Sequence, residues 1–343
     1  MAGIIFTSMK LHRFLPGLFV VQASAALFAA SLNAAEPAPP APILDGLRAD
    51  PDIRVFGDTY YIYPTSDKPE WQTTDFSAWS SKDLIHWKNE GIILDVAHDL
   101  GWAHIKAWAP TATAHNGRYY FYFVANEQIG VATADQPAGP FKDALGQPLI
   151  RRQQFNTFPI DPFVFTDTDG QPYLYFGNSH LLVAKLGTNM ISLDDTPVDL
   201  TPNDPAQPFR EGIVAFKRNG LYYFMWSVDD ARSDDYRVAY GMAKTPFGPI
   251  EIPTNNVVLA KHGAAKGTGH NGIVNVPGTD RWYVCYHRHA IPNGNGYTRE
   301  VCLARMEFNP DGTIQPMDPL VPAFPPGSAG EPLVNGKGAP TPR

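Results

Sequence analysis

The sequence predicts an all-β protein, specifically a five-bladed β-propeller, and two observations lead to this prediction. The first is composition: among 343 residues there are 33 prolines, 12% are aromatic and only 18% are charged. Chains rich in proline and aromatic residues and poor in charge favour short strands and turns over long helices. The second is a unit that repeats five times along the chain. A chain of this length can bury a substantial core.

Each repeated unit consists of an apolar run, a turn and an aromatic-rich run. The turns are Gly57-Asp58, Asn116-Gly117, Asp169-Gly170, Asn219-Gly220 and Gly278-Thr279-Asp280. Asn-Gly and Asp-Gly between such runs are strong hairpin signals. The aromatic residues that follow the turns are 49 to 60 positions apart, which predicts three or four strands per unit: Tyr60, Tyr119, Tyr173, Tyr222 and Trp282. A β-sandwich is the alternative, but it needs only about 100 residues and does not predict five equivalent hairpins.

The two ends of the chain are predicted to lie outside the propeller. Residues 1–35 have a basic stretch, an apolar run and small residues, as in a secretory signal peptide, with Met9 as a second candidate start. A membrane anchor is the alternative, which Pro16 and the shortness of the apolar run disfavour. Residues 36–46 are predicted to form a Pro-rich linker, 47–325 the propeller domain, and 326–343 a Gly/Pro-rich tail or terminal strap.

These features predict where the protein works and which partners it lacks. A signal peptide implies export, so we expect a secreted or periplasmic protein with no membrane contact after cleavage. The formal net charge of −7 argues against nucleic acid as a partner, because nucleic acid selects basic surfaces.

The five units share a register that points to a functional site. Counting back 10 to 12 residues from each aromatic anchor gives Asp50, Trp108, Asp161, Glu211 and His270. In a propeller the innermost strands begin around one mouth of the central channel, so these side chains are predicted to face one cavity. Clustered carboxylates cost folding free energy, whereas hydrolysis of a glycosidic bond needs one protonated and one ionised carboxyl group. Surface strand ends and a cation site are the alternatives.

Six segments resemble the signature segments of glycoside hydrolase family 43, in the family's order, from about Asp50 to Pro322. They are Arg48-Ala49-Asp50-Pro51, Trp79-Ser80-Ser81-Lys82-Asp83-Leu84-Ile85-His86-Trp87, Ala107-Trp108-Ala109-Pro110, Ile160-Asp161-Pro162-Phe163, Arg210-Glu211-Gly212 and Gly267-Thr268-Gly269-His270-Asn271. The resemblance implies a five-bladed propeller that inverts anomeric configuration. It also implies that Asp50 is the general base, that Glu211 is the general acid, and that Asp161 raises the pKa of this acid and orients it.

The resemblance also implies a substrate class. We expect cleavage of terminal pentose residues in plant cell-wall polysaccharides, with arabinose- or xylose-containing oligosaccharides or polysaccharides as partners and no required cofactor. The expected activity is α-L-arabinofuranosidase, and β-xylosidase or endo-arabinanase is the alternative within the family. A non-catalytic carbohydrate-binding propeller is the alternative from another class.

Further residues have weaker predictions. Trp108 is expected to stack on a sugar, with core packing as the alternative. The resemblance implies a substrate contact for Arg288 and, near His270, a structural Ca²⁺ at the propeller axis held through water; a purely structural histidine stays open, because calcium prefers oxygen ligands. Cys285 and Cys302 flank the last hairpin. A turn centred on residues 293–294 would set them opposite each other for a disulfide, and two free buried thiols are the other possibility.

Overall fold

The computed structural model describes residues 38–333, together with Met1 and Gly3. Residue contacts divide the chain into two units, 1–36 and 37–343, and all strands described below belong to the second. The predicted signal peptide lies outside the described residues apart from Met1 and Gly3, and so do residues 334–343 of the predicted tail. Within the described part, no helix has the length and apolar character needed to cross a membrane.

Within residues 38–333, nineteen strands form five separate antiparallel sheets, each built from strands that are consecutive in the chain, as a five-bladed β-propeller requires. The strands of blades I and II are β1 (Arg48–Phe56), β2 (Thr59–Ser66), β3 (Asp75–Ser81), β4 (Lys88–Asp95), β5 (Trp108–His115), β6 (Arg118–Ala125), β7 (Gln128–Ala134) and β8 (Lys142–Asp143). Those of blades III and IV are β9 (Phe163–Thr166), β10 (Pro172–Phe176), β11 (Leu182–Lys185), β12 (Val198–Asp199), β13 (Glu211–Arg218), β14 (Leu221–Val228), β15 (Arg237–Ala243) and β16 (Val257–Leu259). Blade V has β17 (Gly269–Asn275), β18 (Trp282–His289) and β19 (Arg299–Met306).

The two short helical segments in the described part of the chain lie in or after blade I. They are a 3-10 turn, Pro69–Trp71, and a four-residue helix α1, Val96–Asp99. The predicted hairpins join the first two strands of each blade. Asn116 and Gly117 have φ values of 49° and 76°. Two successive positive values are typical of a type I′ turn, whose twist matches that of the flanking strands.

Five hydrophobic clusters hold the ring together, one at each interface between neighbouring blades. They centre on Phe121 between blades I and II, Leu174 between II and III, Trp226 between III and IV, Tyr286 between IV and V, and Ile53 between V and I. Both faces of each sheet are thus covered by side chains of its neighbours. The ring closes because blade V packs on blade I, without any exchange of strands between their sheets.

Segments next to the first and last strands secure the closure between blades V and I. Ile43 donates its backbone N–H to the Val301 carbonyl of β19 at 2.8 Å. Glu331 donates its backbone N–H to the Asp83 carbonyl at 2.8 Å and accepts the Tyr283 hydroxyl at 2.8 Å. Part of the predicted linker and part of the predicted tail therefore contact the propeller directly.

The two cysteines are free and buried. Cys302 pairs with Tyr286 across β18 and β19, whereas Cys285 pairs with Leu303. Consecutive residues of a strand point to opposite faces, so the two thiols lie in different interblade clusters. Of the two possibilities left open by the sequence, the structure has free thiols, because the loop over residues 290–298 shifts the register by one residue.

Candidate active site

The innermost strands begin with a local irregularity at one mouth of the channel. In blades I, II, IV and V the pairing shifts register there, and every blade has one residue in the left-handed backbone region. Those residues are Asp50 (φ 46°), Ala109 (37°), Asp161 (54°), Gly212 (66°) and His270 (40°). For a non-glycine residue this conformation costs about 1–3 kcal/mol, and such strain clusters at functional sites. Trp108 and Glu211 come one residue before it, so the register counted from the hairpins is off by one in blades II and IV.

Asp50 is buried, and its carboxylate faces three nitrogen-bearing side chains. Arg299 Nη1 donates to Oδ1 at 2.9 Å, and Nδ1 of His270 and of His287 lie 3.3 Å and 3.2 Å from the same oxygen. Burial opposes ionisation, but the positive charge of Arg299 outweighs it. Arg299 thus holds the pKa of Asp50 well below its usual range, so this carboxylate is ionised at neutral pH.

Asp161 is equally buried but lies among different partners. Its Oδ2 accepts the backbone N–H of Gly212 at 2.9 Å, and His270 Nδ1 lies 3.8 Å from that oxygen. Burial raises the pKa of Asp161 well above its usual range, and the negative charges of Glu211 and Asp50 raise it further. The ionisation of Asp161 and that of Glu211 therefore oppose each other.

Glu211 begins β13, and both of its carboxyl oxygens are held by neutral donors. The Tyr236 hydroxyl donates to Oε1 at 3.0 Å, and the Asn178 amide donates to Oε2 at 2.8 Å. Burial raises the pKa of Glu211 to about 6, although the Tyr236 hydrogen bond and the charge of Arg210, whose Nε lies 4.0 Å from Oε2, lower it. A carboxyl group with this pKa can donate a proton near neutral pH.

Two histidines, His287 fully buried and His270 slightly exposed, lie at hydrogen bonds that fix the backbone of the site. The N–H of Asp50 donates to His287 Nδ1 at 3.1 Å, which holds Asp50 in its left-handed conformation. The N–H of His270 donates to Ser227 Oγ at 2.9 Å. Burial lowers the pKa of both imidazoles, that of His287 to about 3, so both are neutral.

All these groups meet at one cavity of about 430 Å³. Five of its lining residues are those of the predicted register: Asp50, Trp108, Asp161, Glu211 and His270. The Trp108 indole N–H donates to the Trp71 carbonyl at 2.8 Å, which fixes the orientation of its half-buried ring. The volume lies within the roughly 300–1,000 Å³ typical of small-molecule sites. The cavity thus combines an ionised carboxylate, a protonatable carboxyl group and an aromatic wall.

This combination of fold and site agrees with comparisons with known proteins. The sequence model of "Glycosyl hydrolases family 43" matches residues 39–314. The chain belongs to this family. As a family 43 glycoside hydrolase, it carries the carboxyl groups of its site on the innermost strands of the propeller and on the residues that lead into them.

The relatives of this family 43 chain are named for different substrates. A β-D-galactofuranosidase of Aspergillus niger is 34% identical over 291 residues, covering 81% of this chain and 84% of the relative. A xylosidase/arabinosidase of Bacteroides ovatus is 27% identical, covering 78% and 93%. The crystal structure of a GH43_1 enzyme from Xanthomonas citri complexed with xylose superposes with a TM-score of 0.72 at 28% identity, covering 84% and 97%.

Arg288 is the one predicted site residue that does not line the cavity of this family 43 protein. Its Nε donates to Glu300 at 2.7 Å and its Nη2 to the Pro40 carbonyl at 2.6 Å, and the side chain is almost fully buried. This placement corrects the predicted substrate contact. Neighbouring residues of a strand point to opposite faces, and His287 takes the position beside Asp50.

The guanidinium group at the cavity belongs to Arg299, which the sequence analysis did not single out. It lies at the start of β19 and contacts both Asp50 and Asp67, the latter at 2.6 Å. Arg299 comes from an outer strand, so it has no equivalent in the register of the innermost strands. The available signal was the charged pair Arg299-Glu300 before the apolar run of the same strand.

The described residues around His270 include no cluster of carboxylates for a calcium ion. Among residues 38–333, no group of three or more His, Cys, Asp or Glu side chains could hold a metal. The carboxylate nearest His270 belongs to Asp50 and is already paired with Arg299. The ion held through water at His270 stays a prediction, and no catalytic step depends on it here.

Proposed function

We propose that this family 43 glycosidase acts by inversion and releases terminal pentofuranose residues from plant cell-wall polysaccharides, with α-L-arabinofuranose as the sugar. The observation that carries the proposal is the contrast within one cavity between Asp50, whose pKa is held well below its usual range, and Glu211, whose pKa is raised to about 6. A propeller that only binds sugars has no need of such a pair.

In the proposed reaction Asp50 and Glu211 act on opposite faces of the sugar. Ionised Asp50 accepts a hydrogen bond from a water molecule, and Glu211 directs its proton at the glycosidic oxygen. As the bond to the leaving group breaks, the water attacks the anomeric carbon and gives its proton to Asp50. The low pKa of Asp50 is sufficient, because the water becomes acidic as its new bond forms. Inversion predicts a carboxyl separation of roughly 6.5–9.5 Å.

Asp161 supports this division of roles. A buried carboxyl group beside Glu211 makes a second negative charge costly, so the pair retains a proton at a pH where an isolated glutamate would have lost it. Asp161 Oδ2 also binds the N–H of Gly212 and so fixes the backbone that carries Glu211. Asp161 is therefore proposed as the residue that keeps the acid protonated and oriented.

The loops that enclose the cavity support the proposal that the enzyme acts at the ends of polysaccharide chains. The Trp71 indole of blade I donates to the Gly296 carbonyl at 2.7 Å, and its ring contacts Tyr297, with ring centroids 4.6 Å apart, and Arg232. These contacts tie the loops of blades I, IV and V together. In blades II and III, Lys106 and Arg152 both pair with Glu127. A cavity between such walls admits the end of a polysaccharide more readily than its interior.

The experiment that tests the activity is hydrolysis of a panel of 4-nitrophenyl glycosides by the purified chain and by the Asp50→Asn variant. We expect release of nitrophenol from the α-L-arabinofuranoside, little from the β-D-xyloside, and a kcat about 10²–10⁴-fold lower with the variant. Linear arabino-oligosaccharides should give only the monosaccharide. If the xyloside is the better substrate, the protein is a β-xylosidase instead. Internal cleavage of the oligosaccharides would identify an endo-arabinanase. Binding without turnover would identify a non-catalytic carbohydrate-binding propeller.

β-D-galactofuranosidase is a second candidate, favoured by the 34% identity to the Aspergillus niger relative. The two sugars have the same configuration from C1 to C4, and galactofuranose has one additional hydroxymethyl group on its exocyclic carbon. One set of ring contacts therefore fits both, and discrimination depends on space beyond C4. The ratio of kcat/KM for the two nitrophenyl furanosides decides between them.

Export and the axial ion complete the proposal. We infer that residues 1–35 direct export to the periplasm or the medium and that cleavage removes them. Mass spectrometry of the mature protein tests this, and an intact amino terminus in the cytoplasm would contradict it. Activity and melting temperature measured with and without Ca²⁺ after chelation test for the water-held ion.

A further inference from the structure

The loop between β14 and β15 contains a tyrosine that contacts the proposed acid. Its residues Asp230, Ala231 and Arg232 line the cavity, whereas Tyr236, at its end, is fully buried. The Tyr236 hydroxyl lies 3.0 Å from Glu211 Oε1. No role was predicted for Tyr236, because it lies in a loop outside the five hairpins from which the register was counted.

The direction of this hydrogen bond follows from the groups behind it. The backbone N–H of His270 donates to Ser227 Oγ, so the hydroxyl hydrogen of Ser227 is free to point elsewhere. Ser227 makes a side-chain hydrogen bond to Tyr236 in which the Tyr236 oxygen is the acceptor. The proton of Tyr236 is then directed at Glu211. Donors arranged head to tail in this way strengthen one another in a buried site.

Packing leaves the Tyr236 ring little freedom. The ring stacks on the His287 imidazole, with centroids 5.5 Å apart and planes 8° apart. On its edge lies Gly269, where an added Cβ would come within 2.2 Å of Tyr236 Cε1. The Tyr236 ring therefore requires glycine at position 269. The His287 imidazole on which this ring stacks also accepts the backbone N–H of Asp50.

We propose that Tyr236 is a positioning residue for Glu211, and that its donated hydrogen bond to Oε1 fixes the orientation in which the carboxyl group presents its proton. Without this donor the carboxyl group is held at one oxygen only and can rotate away from the glycosidic oxygen. Asn178 holds Oε2 at 2.8 Å and sets its direction. This inference rests on the proposed role of Glu211 as the acid.

The test is the Tyr236→Phe variant, assayed on two arabinofuranosides that differ in their need for an acid. The leaving group of the 2,4-dinitrophenyl glycoside departs without protonation. The leaving group of the methyl glycoside departs only when an acid protonates it. General acid catalysis supplies about 10²–10⁴-fold, so misplacing the proton should cost about 10- to 100-fold in kcat on the methyl glycoside. The loss on the dinitrophenyl glycoside should stay under about 3-fold, because the role of Asp50 is unchanged.

Tyr175→Phe is the matched control. Tyr175 is also fully buried and donates one hydrogen bond, to the Pro246 carbonyl at 2.8 Å, but it lies in the cluster between blades III and IV. It should change both substrates equally and little. Gly269→Ala, which displaces the Tyr236 ring while keeping its hydroxyl, should reproduce the selective loss on the methyl glycoside, and it serves if Tyr236→Phe does not fold.

Equal losses on both glycosides, or no loss in either Tyr236→Phe or Gly269→Ala, would overturn the positioning role. Failure of the wild-type chain to cleave either glycoside would instead overturn the proposed function. The two failures are therefore distinguishable within the same set of assays.

Discussion

Asp50 and Asp161 begin blades I and III in the same way, but their carboxyl groups have opposite properties. Both precede a proline, both have a left-handed backbone and both are buried. Burial alone would raise both pKa values. Arg299 reverses this at Asp50, whereas Asp161 faces the charges of Glu211 and Asp50. The comparison shows that blade register places a carboxyl group, and a side chain from a different strand sets its charge.

The largest effect is expected when the ionised member of the pair is replaced. Asp50→Asn removes the proposed base, so kcat should fall by about 10²–10⁴-fold for good and poor leaving groups alike. Steady-state assays with dinitrophenyl and methyl arabinofuranosides measure this, with circular dichroism confirming the fold. A loss confined to the poor leaving group would mean that Asp50 acts as the acid.

Replacing the cation that distinguishes Asp50 from Asp161 should affect stability as well as activity. Arg299→Met leaves Asp50 and Asp67 buried and unpaired, which costs about 3–5 kcal/mol in the free energy of unfolding. This cost should shrink as the pH falls, because Asp50 can then be protonated. Urea unfolding at pH 7 and pH 4 measures it.

The same variant should move the acid limb of the rate profile. Without Arg299, burial raises the pKa of Asp50, so activity should be lost at a higher pH on the acid side. An acid limb that stays where it is in the wild type would show that Arg299 does not set the charge of Asp50.

A smaller effect is expected from Asp161, the member of the pair whose pKa is raised. Asp161→Asn removes a group that opposes ionisation of Glu211, so the pKa of Glu211 should fall and the basic limb of kcat/KM should move to lower pH. The loss at the optimum should be about 10- to 100-fold. An unchanged basic limb would restrict Asp161 to holding the Gly212 backbone.

The last prediction needs no substitution. The pH profile of the wild-type protein tests the contrast between ionised Asp50 and protonated Glu211. The active form has Asp50 ionised and Glu211 protonated. Activity should therefore decline above an apparent pKa of about 6 and persist to a pH below the usual range of an aspartate. An optimum well above pH 7 would contradict this assignment of the acid.

Much of the fold and part of the site could be predicted because they repeat. The five hairpin signals predicted five blades. Counting back from the aromatic residue after each turn identified Asp50, Asp161 and His270, which have equivalent positions in their blades. Trp108 and Glu211 fell one residue off, because a shift in strand pairing leaves no trace in a count along the sequence.

The rest of the site comes from parts of the chain that do not repeat. Arg299 lies on the last strand, and Tyr236 and Asn178 lie in loops, so no register relates them to the acids. Arg288 was chosen over its neighbours by resemblance, but strand alternation points it away from the cavity and places His287 beside Asp50.

The most direct test of the account is the anomeric form of the sugar at the moment of release. Proton NMR during rapid hydrolysis of 4-nitrophenyl α-L-arabinofuranoside by the wild-type chain identifies it before mutarotation. The account, in which Asp50 activates water opposite Glu211, predicts that β-L-arabinofuranose appears first. Initial appearance of the α-anomer would contradict it, because retention requires a covalent intermediate in place of direct attack by water.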